Sequence, residues 1–327
     1  MQARPLGSTG YEVSEVGLGT WQLGGDWGDV SDEAAREALY AALDEGIDFL
    51  DTADVYGDGR SETRIREVLA ERPEEPVVAT KAGRRLDPHE PDGYTHENLE
   101  RFVDRSRENL GVDTLDLLQL HCPPTDVYYQ PETFAALDDL KRAGKLAHYG
   151  VSVERVEEAM KAIEYPGVET VQLIFNPFRQ RPAERFFDAA READVGVIVR
   201  VPLASGLLTG NVDADTEFPE NDHRNFNRGG EAFDVGETFA GVPLPVGVDA
   251  AEELGPVVPA EATLAQFTLR WILSFEAVST VIPGSTSPEH IADNVAAADL
   301  PAPSFRDFDH VRGVYDESIR EFVHHRW

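Results

Sequence analysis

Asp51, Tyr56, Lys81 and His121 are residue types that together suit proton transfer to a carbonyl oxygen. A phenol has a pKa of about 10, and an ammonium group beside it favours the phenolate and lowers that value. A carboxylate next to the ammonium compensates a charge that is costly to bury alone. An imidazole can donate a hydrogen bond to the carbonyl and orient it. Each residue alone has an ordinary explanation: a turn or helix cap for Asp51, a solvent-facing Lys81, a hydrogen-bonded structural His121. Their placement argues otherwise, because three of them end successive strand-like runs.

Those runs are Glu15–Gly19, Asp48–Asp51, Val77–Lys81, Leu115–His121, Ala147–Ser152, Thr170–Phe175, Val195–Val201 and Val278–Pro283. They are short and apolar, and amphipathic helical stretches separate them. Ala35, Leu39, Ala42 and Leu43 share one helical face, as do Val156, Ala159, Met160 and Ile163. A later helix opens with Ser287 as N-cap, Pro288 at the first helical position and Glu289 in the first turn. Eight strands alternating with helices predict an α/β fold, a (β/α)8 TIM barrel. A β-hairpin over Gln2–Glu15 precedes it, and an extra helix near Phe305–Val323 follows. Residues 1–327 are expected to form a single domain. In such a barrel the chemistry lies at the C-terminal ends of the strands, where Asp51, Lys81 and His121 converge and Tyr56 leans over them. The Gly-, Pro- and Asp-rich connection from Ala204 to about Glu261 reads as a long loop at the barrel mouth.

No Gly-x-Ser-x-Gly elbow and no His-x-Glu-x-x-His appears, and no metal site is expected; the adjacent His324 and His325 read as a surface segment. The chain of 327 residues carries 61 acidic and 29 basic side chains, a formal charge of −32. The acids are scattered along the chain, which fits a surface adapted to multimolar salt better than a tail for a polycation. Such a charge disfavours nucleic acid and anionic membrane as partners. A lone cysteine, Cys122, fits a reducing cytoplasm. Met1–Gly10 lacks the apolar core of a signal peptide, and the apolar stretch Val195–Leu208 is broken by Arg200 and Pro202. A soluble, cytoplasmic, halophilic protein is the expectation; the sequence assigns no oligomeric state.

The segment Asp51-Thr-Ala-Asp-Val-Tyr-Gly57 with Ser61-Glu62 resembles the signature of the aldo-keto reductase superfamily. So do Ala79-Thr-Lys81, Leu118-Gln-Leu-His121, Gly150-Val-Ser152, Val171-Gln172, the stretch Pro202–Gly210, and Ile282-Pro-Gly-Ser285 through Asn294. The resemblance implies an NAD(P)H-dependent oxidoreductase interconverting aldehydes or ketones and alcohols, with Tyr56 supplying the proton. It places Asp51, Tyr56, Lys81 and His121 in catalysis. It places Thr20, Asp51, Ser152, Gln172 and Arg200 beside the nicotinamide, and Pro202, Leu203, Ser205, Gly206 and Leu208 across the pyrophosphate. Gly284, Ser285, Thr286, His290, Asp293 and Asn294 would hold the adenosine end, while Trp21 and Trp27 would line the substrate pocket.

Three features depart from the family pattern. Val153 stands where an asparagine is usual, and Arg200 where an aromatic residue commonly stacks on the nicotinamide. Gly284, Thr286 and His290 stand where many relatives place Lys or Arg, which leaves the choice between NADPH and NADH open. The rival readings are a nicotinamide-binding redox-sensor subunit without significant turnover, a metal-dependent hydrolase or aldolase, and a Schiff-base aldolase built on Lys81. The intact four-residue set weighs against the sensor. A metal enzyme would need more His or carboxylate ligands at the rim than His121 supplies.

Overall fold

In the computed structural model, which describes residues 1–25 and 27–327, the strand pattern closes on itself. The strands are β1 (Ala3–Pro5), β2 (Glu12–Ser14), β3 (Leu18–Gly19), β4 (Phe49–Asp51), β5 (Val77–Ala82), β6 (Leu115–His121), β7 (Leu146–Ser152), β8 (Val168–Ile174), β9 (Gly196–Arg200) and β10 (Val278–Val281). β1 and β2 form the antiparallel hairpin; β3 to β10 lie side by side in chain order, and each neighbouring pair is parallel. Parallel bridges Val16–Val281 and Gly19–Gly284 join the first strand region to the last, so the sheet is a (β/α)8 barrel.

Period-two alternation fills its interior in layers. Phe49, Ala79, Leu117, Ile198 and Ile282 pack with Leu6 and Val13 from the hairpin segment, which plugs the lower end. Two residues further along their strands come Asp51, Lys81, Gln119 and Arg200, all buried. Polar groups therefore occupy the layer above the apolar one, at the C-terminal ends.

The helical faces follow the expected periodicity with one correction. Ala35, Leu39, Ala42 and Leu43 are buried in the helix Asp32–Asp44, whose N-cap Ser31 accepts from the Ala34 amide. The helix Val156–Ala162 ends earlier than the pattern suggests. Ala162 takes the inward place, Met160 is 38% exposed, and Ile163 is already the C-cap. Ser287 caps Pro288–Ala296 as expected. The long connection is not all irregular: it contains the helix Leu244–Glu253. Gly247 obscures that helix in the sequence, yet a Cβ there would come within 2.5 Å of Leu207, so close packing requires the glycine. The closing helix runs as Phe305–Val314, a π turn Tyr315–Ile319 and a last turn Arg320–Val323.

Candidate active site

Lys81 is the fully buried centre of the polar layer. Its ammonium is ion-paired to Asp51 Oδ1 and donates to the Thr52 carbonyl at 2.9 Å and to the Tyr56 hydroxyl at 3.2 Å. Asp51 Oδ2 accepts from Gln172 Nε2 at 2.6 Å and Gln119 Nε2 at 3.1 Å. The carboxylate thus holds one cation and two amides, which satisfies a buried charge.

The turn after β4 aims Tyr56. Gly57 has φ 61°, and a Cβ on it would meet the Gly24 carbonyl oxygen at 2.2 Å, while a Cβ on Gly24 would lie 2.4 Å from the Tyr56 backbone. Two glycines let the short helix Trp21–Gly24 press directly on the Tyr56 turn. A chain of hydroxyls locks the same turn: Thr52 Oγ1 donates to Ser61 Oγ at 2.9 Å, and Ser61 and Thr20 are 2.8 Å apart. Glu62, buried, accepts from Thr80 at 2.6 Å and Asn109 at 2.8 Å, anchoring the helix Arg60–Leu69 to β5.

Burial raises the Tyr56 phenol above its usual value; Lys81 pulls it down, but less. Lys81 acts in the expected direction, but the net shift is upward, because loss of solvent around the phenolate outweighs one ammonium. Lys81 itself is raised: burial works against its charge, and Asp51 and Tyr56 outweigh burial. His121 falls well below the usual imidazole value through burial and the nearby Arg84, Lys81 and Arg200. Its ring is therefore neutral near pH 7, and it meets the Tyr56 ring edge-on with centroids 5.9 Å apart.

A cavity of about 460 Å³ opens over this set. At one end Trp21 stacks on Tyr56 at 6.1 Å, and Trp27, Phe218 and Arg224 complete the wall. Gly284, Ser285, Thr286 and His290 also line the cavity, as do Thr20, Gln172, Arg200, Pro202, Leu203, Ser205 and Gly206. Ser152 stands behind Gln172, its hydroxyl 3.5 Å from the Gln172 Oε1. Leu208 is packed in the core, and neither Asp293 nor Asn294 is a lining residue. Sequence reasoning missed Gln119, whose amide reads as an ordinary strand residue, and the wall residues Phe218 and Arg224, which lie in the long connection.

It also missed an ionic quartet in which Arg200 and Glu237 are buried and Arg84 and Glu154 are half-buried. Arg200 Nη2 lies 3.0 Å from Glu154 and Nη1 3.5 Å from Glu237; Arg84 pairs with Glu154 at 3.2 Å and with Glu237. Burial opposes the Glu237 charge, but Arg84 and Arg200 hold its carboxyl below the usual range. Burial and the neighbouring Glu237 charge push Glu154 up. Asp54 is also buried, and neither of its oxygens has a well-formed hydrogen bond. Burial first, then Glu62, raises it to about 7.

The cavity fits an anionic dinucleotide electrostatically. Among the described lining residues only Asp51 and Glu237 are acidic, and both are ion-paired. A chain of charge −32 thus presents no bare carboxylate to a pyrophosphate here.

Comparison with known proteins gives the same picture. The chain is 32% identical over 231 residues to an aldo-keto reductase of Bacillus subtilis, covering 69% of each. It is 27% identical to the NADH-specific methylglyoxal reductase of Escherichia coli, covering 92% of this chain and 94% of that one. Its fold matches the holo form of an aldo-keto reductase from Bacillus halodurans with a TM-score of 0.76, at 26% identity and 96% coverage of both. With the aldo/keto reductase family model matching residues 15–314, the chain belongs to the aldo/keto reductase family.

Proposed function

We propose that this chain is an NAD(P)-dependent carbonyl reductase, a single-domain barrel in which Tyr56 gives a proton to the substrate's carbonyl oxygen. The observation that carries this reading is the 3.2 Å hydrogen bond from Lys81 to the Tyr56 hydroxyl at the wall of the cavity. Family membership and the nicotinamide specificity in the relatives' names support it. A reduced nicotinamide, when bound, supplies the hydride to the carbonyl carbon. Thr20, Gln172 and Arg200 would flank its ring, with Ser152 supporting Gln172. Pro202 to Gly206 would lie along its phosphates, and Gly284 to Thr286 with His290 would hold the adenosine.

As the proton leaves Tyr56, the phenolate charge develops 3.2 Å from the Lys81 ammonium, which stabilises it. Asp51 keeps that ammonium charged and in place. The neutral His121 ring donates a hydrogen bond that orients the carbonyl. Trp21 and Trp27 line the substrate end. Gln172 has its amide nitrogen on Asp51, and its Oε1, which accepts from the Ser152 hydroxyl at 3.5 Å, keeps a second lone pair for a carboxamide donor. The paired charges and the acidic surface favour a small-molecule partner over nucleic acid or membrane, and no helix among the described residues is long and apolar enough to cross a membrane. The chemistry takes place in a salt-rich cytoplasm.

The test is carbonyl-dependent oxidation of NADPH and NADH, followed by absorbance in multimolar salt. Tyr56→Phe should lower the rate on the order of 10²–10⁴-fold while cofactor binding persists. Turnover that survives the substitution removes the assigned mechanism. Tight binding without turnover across a carbonyl panel selects the redox-sensor reading.

A further inference from the structure

The Arg200 guanidinium lies at the wall of the cavity beside His121 and Gln172, and its position is fixed from several sides. Besides Glu154 and Glu237, it donates to the Val153 carbonyl at 3.1 Å and approaches Cys122 Sγ at 3.5 Å. The next residue, Val201, has φ 50°, a conformation that a β-branched residue adopts only when its surroundings impose it. Asn176 Nδ2 holds the Val201 carbonyl at 2.9 Å.

Glu237 comes from the long connection and is equally constrained. Ser205 Oγ donates to its carbonyl at 3.1 Å and accepts from the Phe239 amide at 3.1 Å. Trp327 donates to Asp234 at 2.9 Å and packs on Gly236, where a Cβ would lie 2.9 Å from the indole. Cys122, Glu154 and Glu237 offer ligand atoms within 4.8 Å of one another, but guanidinium groups already occupy both carboxylates, so a cation has little to gain there.

The quartet holds two guanidinium groups and two carboxyls; Glu237 is held ionised, while Glu154 is pushed up to about 7 and carries its full charge only above that. A nicotinamide ring is cationic when oxidised and neutral when reduced, so the charge of nearby fixed groups acts on one form only. At a partly buried site unit charges a few ångströms apart still interact strongly, and salt screens them little.

We infer that Arg200, Glu154 and Glu237 determine the preference of the site for reduced over oxidised nicotinamide, with the two carboxylates offsetting the Arg200 charge beside the ring. The inference rests on the cofactor assignment above. Glu154 and Glu237 are positioning residues: they set the place and the effective charge of Arg200 without belonging to the proton-transfer set.

The experiment is tryptophan-fluorescence titration of the folded protein with oxidised and reduced nucleotide, since Trp21 and Trp27 line the cavity. In Glu237→Gln the ratio of the oxidised to the reduced Kd should rise about tenfold, mostly by weakening the oxidised form. At pH 8, where Glu154 is ionised, Glu154→Gln should shift it in the same direction and serves if Glu237→Gln does not fold. Arg200→Met, which removes the cation, should shift the ratio the opposite way. A role limited to shaping the loop would weaken both nucleotides equally in all three variants, and that result overturns the inference, as does an unchanged ratio. Wild-type protein that binds neither nucleotide overturns the cofactor assignment itself, a distinguishable failure.

Discussion

Gln172 and Lys81 grip opposite oxygens of one carboxylate: the Gln172 amide reaches Asp51 Oδ2 at 2.6 Å while the Lys81 ammonium holds Oδ1. The two donors lie on β8 and β5, so Asp51 ties distant parts of the barrel rim together. Replacing Asp51 by Asn keeps an acceptor oxygen but leaves the buried Lys81 ammonium without its counter-charge. Loss of one partner of a buried pair costs on the order of 3–5 kcal/mol. Asp51→Asn should therefore lower both denaturant stability and carbonyl reduction, whereas Gln119→Leu, which leaves Gln172 in place, should cost about 1–3 kcal/mol. Equal stability of wild type and Asp51→Asn in urea unfolding would contradict the geometry.

The raised Tyr56 phenol has a signed consequence. The donor form persists as pH rises and is lost only above the ordinary tyrosine value of about 10. kcat/KM for reduction should stay level through neutral and mildly alkaline pH and then fall. His121, lowered well below 6.5, should add no acid limb near that value. A profile that declines between about pH 7 and 8 would show that Lys81 dominates after all.

Asp54 makes stability depend on pH in a defined direction. Its carboxyl is raised to about 7, so between its unfolded value of about 4 and pH 7 the folded state binds the extra proton. Stability contributed by this group is greatest below that window and is lost as pH climbs through it. Asp54→Asn should remove this slope. The variant should gain on wild type by a few kcal/mol at most at pH 8 relative to pH 4. Parallel stability curves for the two proteins would show that Asp54 does not titrate in this range.

At −32, self-repulsion should dominate in dilute buffer. The melting temperature should climb as potassium chloride is raised from about 0.1 M to multimolar levels, where the Debye length is roughly 3 Å. A melting temperature indifferent to salt in differential scanning fluorimetry would remove the salt-adaptation reading.

How far these features were legible in the sequence follows from how local they are. The strands were readable because each apolar run is short and bounded, and the position of Asp51, Lys81 and His121 at strand ends follows directly from period two. The Ser287 cap needed only adjacent residues. Gln119 was illegible because its partner Asp51 lies 68 residues away, and the quartet because Arg84, Glu154, Arg200 and Glu237 come from four separate segments. The helix Leu244–Glu253 was hidden by Pro245, which sits in its first turn, and by Gly247, which the close approach of Leu207 requires. The direction of the Tyr56 shift needed the depth of burial, which no spacing encodes.

Lys81, Arg200 and Arg224 each meet a carboxylate of the protein itself, Asp51, Glu154 and Asp222 respectively. An anionic nucleotide therefore approaches a chain of net charge −32 and arrives in an interior whose charges are already matched. Ionic strength should then govern how often a nucleotide arrives far more than how long it stays, so that the same protein would capture its cofactor slowly in dilute buffer and release it at nearly the same pace in brine.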